Sequence, residues 1–136
     1  MLEKPYHILI IDDDEGMCEF LESVVEAEYG QDIKITVSSS SKDAIRLVET
    51  DRYNIILTDL NMPRFSGYNI VKQAHERNKS IQVIFLTGDL QISVAMTCFR
   101  DGAAALLTKP MEPAKLINAM NLCVKRLDIW YDVLNK

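Results

Sequence analysis

Cysteine is scarce and scattered. Among 136 residues there are three, Cys18, Cys98 and Cys123, far apart inside helix-like segments. No CxxC pair occurs, and neither His7 nor His75 lies at ligand spacing from any of them. A disulfide scaffold and a thiolate metal site are thereby disfavoured, leaving three reduced, mostly buried thiols. Positive charge is also short: 15 Lys and Arg stand against 20 Asp and Glu, for a net charge of -5. Without a basic face to neutralise phosphates, direct nucleic-acid binding by this chain is not expected. Long apolar runs are missing too. Ile8 to Ile11 and Val83 to Leu86 are far too short to span a bilayer. The opening MLEKPYH has no signal-peptide core. The expected location is cytoplasmic, with no membrane partner.

No low-complexity tract, long linker or internal repeat is visible. With 48% apolar and 26% charged residues, the length fits one domain around one core. What the chain does have is an alternation of periods. Tyr6 to Ile11 is a short apolar run, and a helical stripe follows from Glu15 to Tyr29, closed by Gly30. Ile33 to Val37 alternates like a strand, and Ser41 is placed to cap a helix through Glu49. Tyr53 to Thr58 and Ile81 to Leu86 are further apolar runs, each followed by a helical pattern, Ser66 to Arg77 and Gln91 to Arg100. Ala105 to Thr108 is a short fifth strand, and a last helix begins near Pro113, a residue suited to a first turn.

Five strand-helix pairs whose strands read as continuous apolar runs imply a parallel sheet buried on both faces. The fold class is α/β, an open doubly wound five-stranded sheet with helices on both faces. In such sheets function gathers at the carboxyl ends of the strands.

Those ends can be read together. The first strand runs into Asp12, Asp13, Asp14 and Glu15, the third into Asp59, the fourth into Thr87-Gly88-Asp89, the fifth into Thr108-Lys109-Pro110. A nucleotide site of the usual kind needs glycines and a helix N-terminus open to phosphate, whereas DDDEGM offers clustered negative charge. Crowded carboxylates call for a cation, and a few hard oxygen ligands suit Mg²⁺. Acidic residues after a strand also simply start helices, and Asp14 and Glu15 fit that reading at least as well. Asp12 and Asp13 share their edge with Asp59 and Lys109, which tips them toward function. The Lys109-Pro110 step biases Lys109 toward an extended conformation that points it off the strand end.

The segments ILIIDDDEGM, LTDLNMPRFSG, LTGD and LLTKP, in this order and spacing, resemble the receiver domain of two-component response regulators. The resemblance runs from His7 to about Arg126. It implies a flavodoxin-like sheet in the order 2-1-3-4-5 and a bacterial phosphorelay switch rather than an enzyme turning over external substrates. It implies that Asp59 accepts a phosphoryl group from a histidine kinase or phosphotransfer protein. Asp12 and Asp13 would be the acidic pair around Mg²⁺, with Asp13 ahead of Asp12 as direct ligand. Asp59 and the backbone carbonyl of Asn61 would complete the set. Lys109 would pair with a phosphoryl oxygen, and Thr87 would bond the phosphoryl group and carry the switch. Pro63 would fix the turn after Asp59, and Gly67 would relieve a tight path into the next helix.

Three positions depart from the family's pattern. Leu106 stands where many receivers carry an aromatic switch residue, Met111 where Phe often follows Lys-Pro, and Gly88 where alanine is commoner. The changed surface is expected around the fourth helix, fifth strand and fifth helix, with Phe99 and Leu106 among its apolar contacts. Two rivals use the same residues. A haloacid dehalogenase-type phosphatase needs an acid two residues after its nucleophile, where this chain has Asn61. A receiver-like interaction module that is not phosphorylated would not need all five functional positions filled.

The last helix is longer than closing the fold needs. Leu116, Met120, Cys123, Leu127, Trp130 and Leu134 are spaced 4, 3, 4, 3 and 4, a heptad seam. The expected division is a receiver domain over residues 1–126 and a helical extension over 127–136. The extension either folds back on its own domain, pairs with a second copy, or leads to an output domain.

Overall fold

A computed structural model describes residues 2–136. Its strands are β1 (Tyr6–Ile11), β2 (Ile33–Ser38), β3 (Ile55–Asp59), β4 (Gln82–Thr87) and β5 (Ala105–Thr108). Between and after them run α1 (Glu15–Tyr29), α2 (Ser41–Val48), α3 (Gly67–Arg77), α4 (Ile92–Arg100) and α5 (Pro113–Leu134). All strand pairs are parallel, in the order β2-β1-β3-β4-β5. This is the expected doubly wound sheet. Every residue of β1, β3 and β4 is buried, because helices cover both faces of the centre. No helix among the described residues is long and apolar enough to cross a membrane.

The period of two along each strand splits the core. Ile8, Ile10, Ile55, Leu57, Ile84 and Leu86 face α1 and α5, where Leu21, Val25, Leu116 and Met120 meet them. Leu9, Ile11, Ile56, Val83 and Phe85 face α2, α3 and α4, against Ala44, Ile70, Val71 and Cys98.

Caps set the helix starts. Asp14 caps α1, its side chain accepting from the Gly16 and Met17 amides. At α2 the cap is Ser40, which accepts from the Asp43 amide, not Ser41, which is the first helical residue. Ser66 caps α3 in the same way. Gly30, at φ +54°, sends its amide back to the Glu26 carbonyl, closes α1 and opens a 3-10 turn, Gly30–Asp32. Tyr53 and Asn54 precede β3 rather than join it; Asn54 exchanges hydrogen bonds with His7, its amide donating to the His7 carbonyl and its side-chain oxygen accepting from the His7 amide.

Along α5, Leu116, Met120, Cys123 and Leu127 are buried, while Trp130 and Leu134 are exposed. The overhang touches its own domain through other residues. The Tyr6 hydroxyl donates to Asp128 at 2.6 Å, and Lys4 pairs with the same carboxylate at 3.5 Å. Tyr131 packs edge-on to Tyr6, with the Lys4 ammonium 4.5 Å from its ring centroid. The Tyr29 hydroxyl donates to Asn121 and ties α1 to the middle of α5.

Candidate functional site

Parallel strands aim their last residues at one edge, and the carboxylates meet there. Asp12 follows β1 and is wholly buried. One of its oxygens accepts from the Asp14 amide at 2.9 Å and the other from the Lys109 ammonium at 2.8 Å. Asp59 ends β3, also buried. Its oxygens accept from the Asn61 amide at 3.0 Å and from Lys109 at 3.1 Å. Lys109 therefore bridges the two buried acids. Asp13 is exposed beside them, and one carboxylate oxygen from each of Asp12, Asp13 and Asp59 lies within 4.8 Å of the others.

Thr87 ends β4 and is buried. Its hydroxyl accepts from the Asn61 side-chain amide at 3.0 Å and from the Asp89 amide at 3.1 Å, and donates to the Asp89 carbonyl at 3.0 Å. Asn61 thus joins Asp59, through its backbone, to Thr87, through its side chain. The Lys109 amide donates to the Thr87 carbonyl at 2.8 Å, which seats β5's last residues on β4. The Lys109–Pro110 peptide is cis.

Gly67 has a steric reason. A Cβ there would lie 2.0 Å from the Asp59 carbonyl oxygen and 2.6 Å from the Thr58 hydroxyl. The first turn of α3 is pressed against the end of β3, and only glycine fits. Gly88 has nothing near the corresponding position.

The electrostatics follow from this packing. Loss of water pushes the Asp13 carboxyl above its ordinary value, and the neighbouring charges of Asp12 and Asp59 add to that. Burial works to lower Lys109, but its hydrogen bonds to Asp12 and Asp59, with their charges, outweigh burial and leave it raised. The ammonium is held charged. A carboxylate fixed beside a permanent cation, within a cluster able to hold a hard divalent ion, has the parts for accepting an electrophile at oxygen.

Asp12, Asp13, Asp59, Asn61, Thr87 and Lys109 are therefore all brought to one edge. Asp14 turns away to cap α1 and Glu15 lies in that helix's first turn. Leu106, on β5, sits apart from this cluster, half-buried at the margin of the core under α3 and α4. Sequence reasoning missed the direct bonds of Lys109 to two acids. It also missed Tyr68, which bonds Asp101 across the gap between α3 and α4. Neither has a local sequence signal, since each pair is far apart in the chain.

The chain matches the model of the response regulator receiver domain over residues 8–121. It is 31% identical over 121 residues to the response regulator SaeR of Staphylococcus aureus, covering 89% of this chain and 51% of that protein. The chain thus spans about half the length of the curated relatives it matches. A receiver domain protein from Clostridium thermocellum superposes with a TM-score of 0.82 at 26% identity, over 92% of this chain and 98% of that one. The receiver domain of the Francisella response regulator 1452 does so at 0.78 and 30% identity, over 90% and 98%.

Proposed function

The chain belongs to the response regulator receiver domain family, and on that premise we propose that it is a phosphorylation-controlled switch whose phosphoacceptor is Asp59. One observation carries the reading: the Asp59 carboxylate, at the end of a central strand, shares Lys109 with Asp12 and lies in one cluster with Asp12 and Asp13.

The donor set fits Mg²⁺. Three carboxylates offer hard oxygens at one point, and the single ammonium beside them is that of Lys109. Asp12, Asp13, Asp59 and the Asn61 backbone carbonyl would hold the ion. When bound, it supplies positive charge beside the phosphoryl oxygens. This chain's own residues do the rest. An Asp59 oxygen attacks phosphorus and forms the acyl phosphate bond as the donor's bond to phosphorus breaks. Lys109 is already at hydrogen-bond distance from Asp59, so its charge is in place for the equatorial oxygens. Thr87 then exchanges its Asn61 and Asp89 bonds for one to the phosphoryl group, which moves the Gly88-Asp89 loop and α4. Water later attacks the same phosphorus, the bond from phosphorus to the Asp59 oxygen breaks, and inorganic phosphate leaves as the carboxylate is restored. Asn61 offers no acid for turnover of external substrates.

The donor would be a phosphohistidine of a kinase or phosphotransfer protein, in the cytoplasm. Because the relatives are about twice as long, residues 127–136 are proposed to continue toward an output domain or to pair with a second copy. The exposed Ile129, Trp130 and Val133 provide the surface for this.

Incubation with acetyl phosphate and Mg²⁺, followed by mass spectrometric mapping, should place the adduct on Asp59, and Asp59→Asn should abolish it. An adduct on Asp12 or Asp13, or one that survives Asp59→Asn, would overturn the assignment.

A further inference from the structure

The sheet face under α2, α3 and α4 is not evenly covered. α3 packs closely on α2, but between α3 and α4 lie two clefts. One, of about 420 Å³, is lined by Val71, Val83, Phe85 and Ala103 toward the amino ends of the strands. The other, of about 380 Å³, is lined by Leu60, Asn61, Val94 and Thr97 and reaches the functional edge. Tyr68, in the first turn of α3, lines both. Its ring stacks over Phe85 with centroids 6.4 Å apart, and its hydroxyl donates to Asp101, which caps the end of α4.

Phe85 pairs in register with Leu106 on β5. Tyr68 thus adds a ring from α3 to the Phe85 ring on β4, and its hydroxyl ties it to α4 at the opposite end from the Thr87 loop. The resting arrangement has two restraints on α4. At its start, Thr87 holds Asp89 and Asn61. At its end, Tyr68 holds Asp101.

We propose that Tyr68 is a positioning residue of the switch, acting through α4: it fixes that helix in the resting state through Asp101 and exchanges the Phe85 cleft for the Asn61 cleft when Asp59 is phosphorylated. This rests on the phosphoacceptor reading above. Ser93, Val94 and Thr97 of α4 line the second cleft, so drawing Thr87 toward Asp59 reshapes that cleft. Asp101 rides on the same helix, so the same displacement loosens the Tyr68 tie. A modification shifts an equilibrium only by its differential interaction with the two states. Tyr68 provides such a difference, because its hydroxyl partner belongs to one state.

The test uses tyrosine ring ¹³C–¹H spectra of the full chain, with and without beryllofluoride and Mg²⁺, the Tyr68 signal being assigned by its loss in Tyr68→Phe. The Tyr68 ring signal should move with the Thr87 and Gly88 amides, while those of Tyr6, Tyr29 and Tyr131 stay. Tyr68→Phe and Asp101→Ala should each tighten the apparent beryllofluoride affinity, by roughly two- to fivefold, the value of one ordinary net hydrogen bond. Combined, they should do no more than either alone. A still Tyr68 ring beside moving Thr87 and Gly88 amides would overturn the proposal and leave the phosphoacceptor reading standing. Additive effects of the two substitutions would also overturn it. If neither ring nor amides respond, the phosphoacceptor reading fails and this inference falls with it.

Discussion

Asp13 shows at the residue scale what a crowded acidic edge costs and what relieves it. Its carboxyl is raised above the ordinary 3.8, first by loss of water and then by the charges of Asp12 and Asp59. A carboxyl raised on folding stabilises the protein below the unfolded value, and that contribution is lost as pH rises through the folded value. Near neutral pH the ionised Asp13 therefore opposes folding, by a modest amount because water screens an exposed group. Asp13→Asn should raise the Tm slightly near pH 7 without metal, and the difference from wild type should vanish below about pH 3.8. The same variant should lose most of the Tm rise that Mg²⁺ gives wild type; scanning fluorimetry across pH, with and without MgCl₂, checks both. Gly67 and Gly88 make a second contrast. Gly67→Ala forces a methyl onto the Asp59 carbonyl and should cost about 3 kcal/mol or more, with loss of acyl phosphate formation. Gly88→Ala meets open space and should change stability by no more than about 0.5 kcal/mol. Urea titrations of the two variants decide this.

Elements were legible where the physics is local. The central strands stand out because burial on both faces leaves continuous apolar runs, and α1 because its stripe ends in a glycine that takes a positive φ. What was missed lies where local signals are duplicated or partners are distant. Two adjacent serines can each cap α2, and the chain uses Ser40, so Ser40→Ala should cost about 1 kcal/mol while Ser41→Ala stays within about 0.5 kcal/mol. At α5 the heptad spacing continues to Leu134, but packing follows it only through Leu127. Beyond that, the docking residues are Asp128 and Tyr131, chosen by Tyr6 and Lys4 more than 120 residues earlier. Tyr6→Phe should cost about 1 kcal/mol and speed amide exchange over the last turns of α5, with little change at β3. The strand-end positions of the candidate site residues were readable, because parallel topology carries them to one edge. Their mutual bonds were not, since the Lys109 and Tyr68 contacts depend on side-chain reach across separate elements.

For the molecule as a whole, the three thiols report how the two cores open. Burial pushes Cys18 up to about 11 and Cys123 up to about 12, and raises Cys98. Cys123 lies in the core under α1 and α5, and Cys98 in the core under α2, α3 and α4. Thiolate and access are both withheld, so a disulfide reagent near pH 7 should label all three at rates set by opening rather than by thiol chemistry. Cys98, next in the chain to Thr97 of the cleft between α3 and α4, should react before Cys123. Mass spectrometry of a labelling time course gives the order. The bridging ammonium has a consequence for encounter rates. With all three acids ionised, one lysine against three carboxylates leaves the edge two charges negative, on a chain whose net charge is already -5. A small anionic phosphodonor is repelled by such a surface, and added salt should speed its arrival by screening that repulsion. A divalent cation cancels the local excess. The ionic-strength dependence of acetyl phosphate transfer should therefore flatten as Mg²⁺ approaches saturation, and in Lys109→Ala, with one more uncompensated charge, some of that dependence should persist.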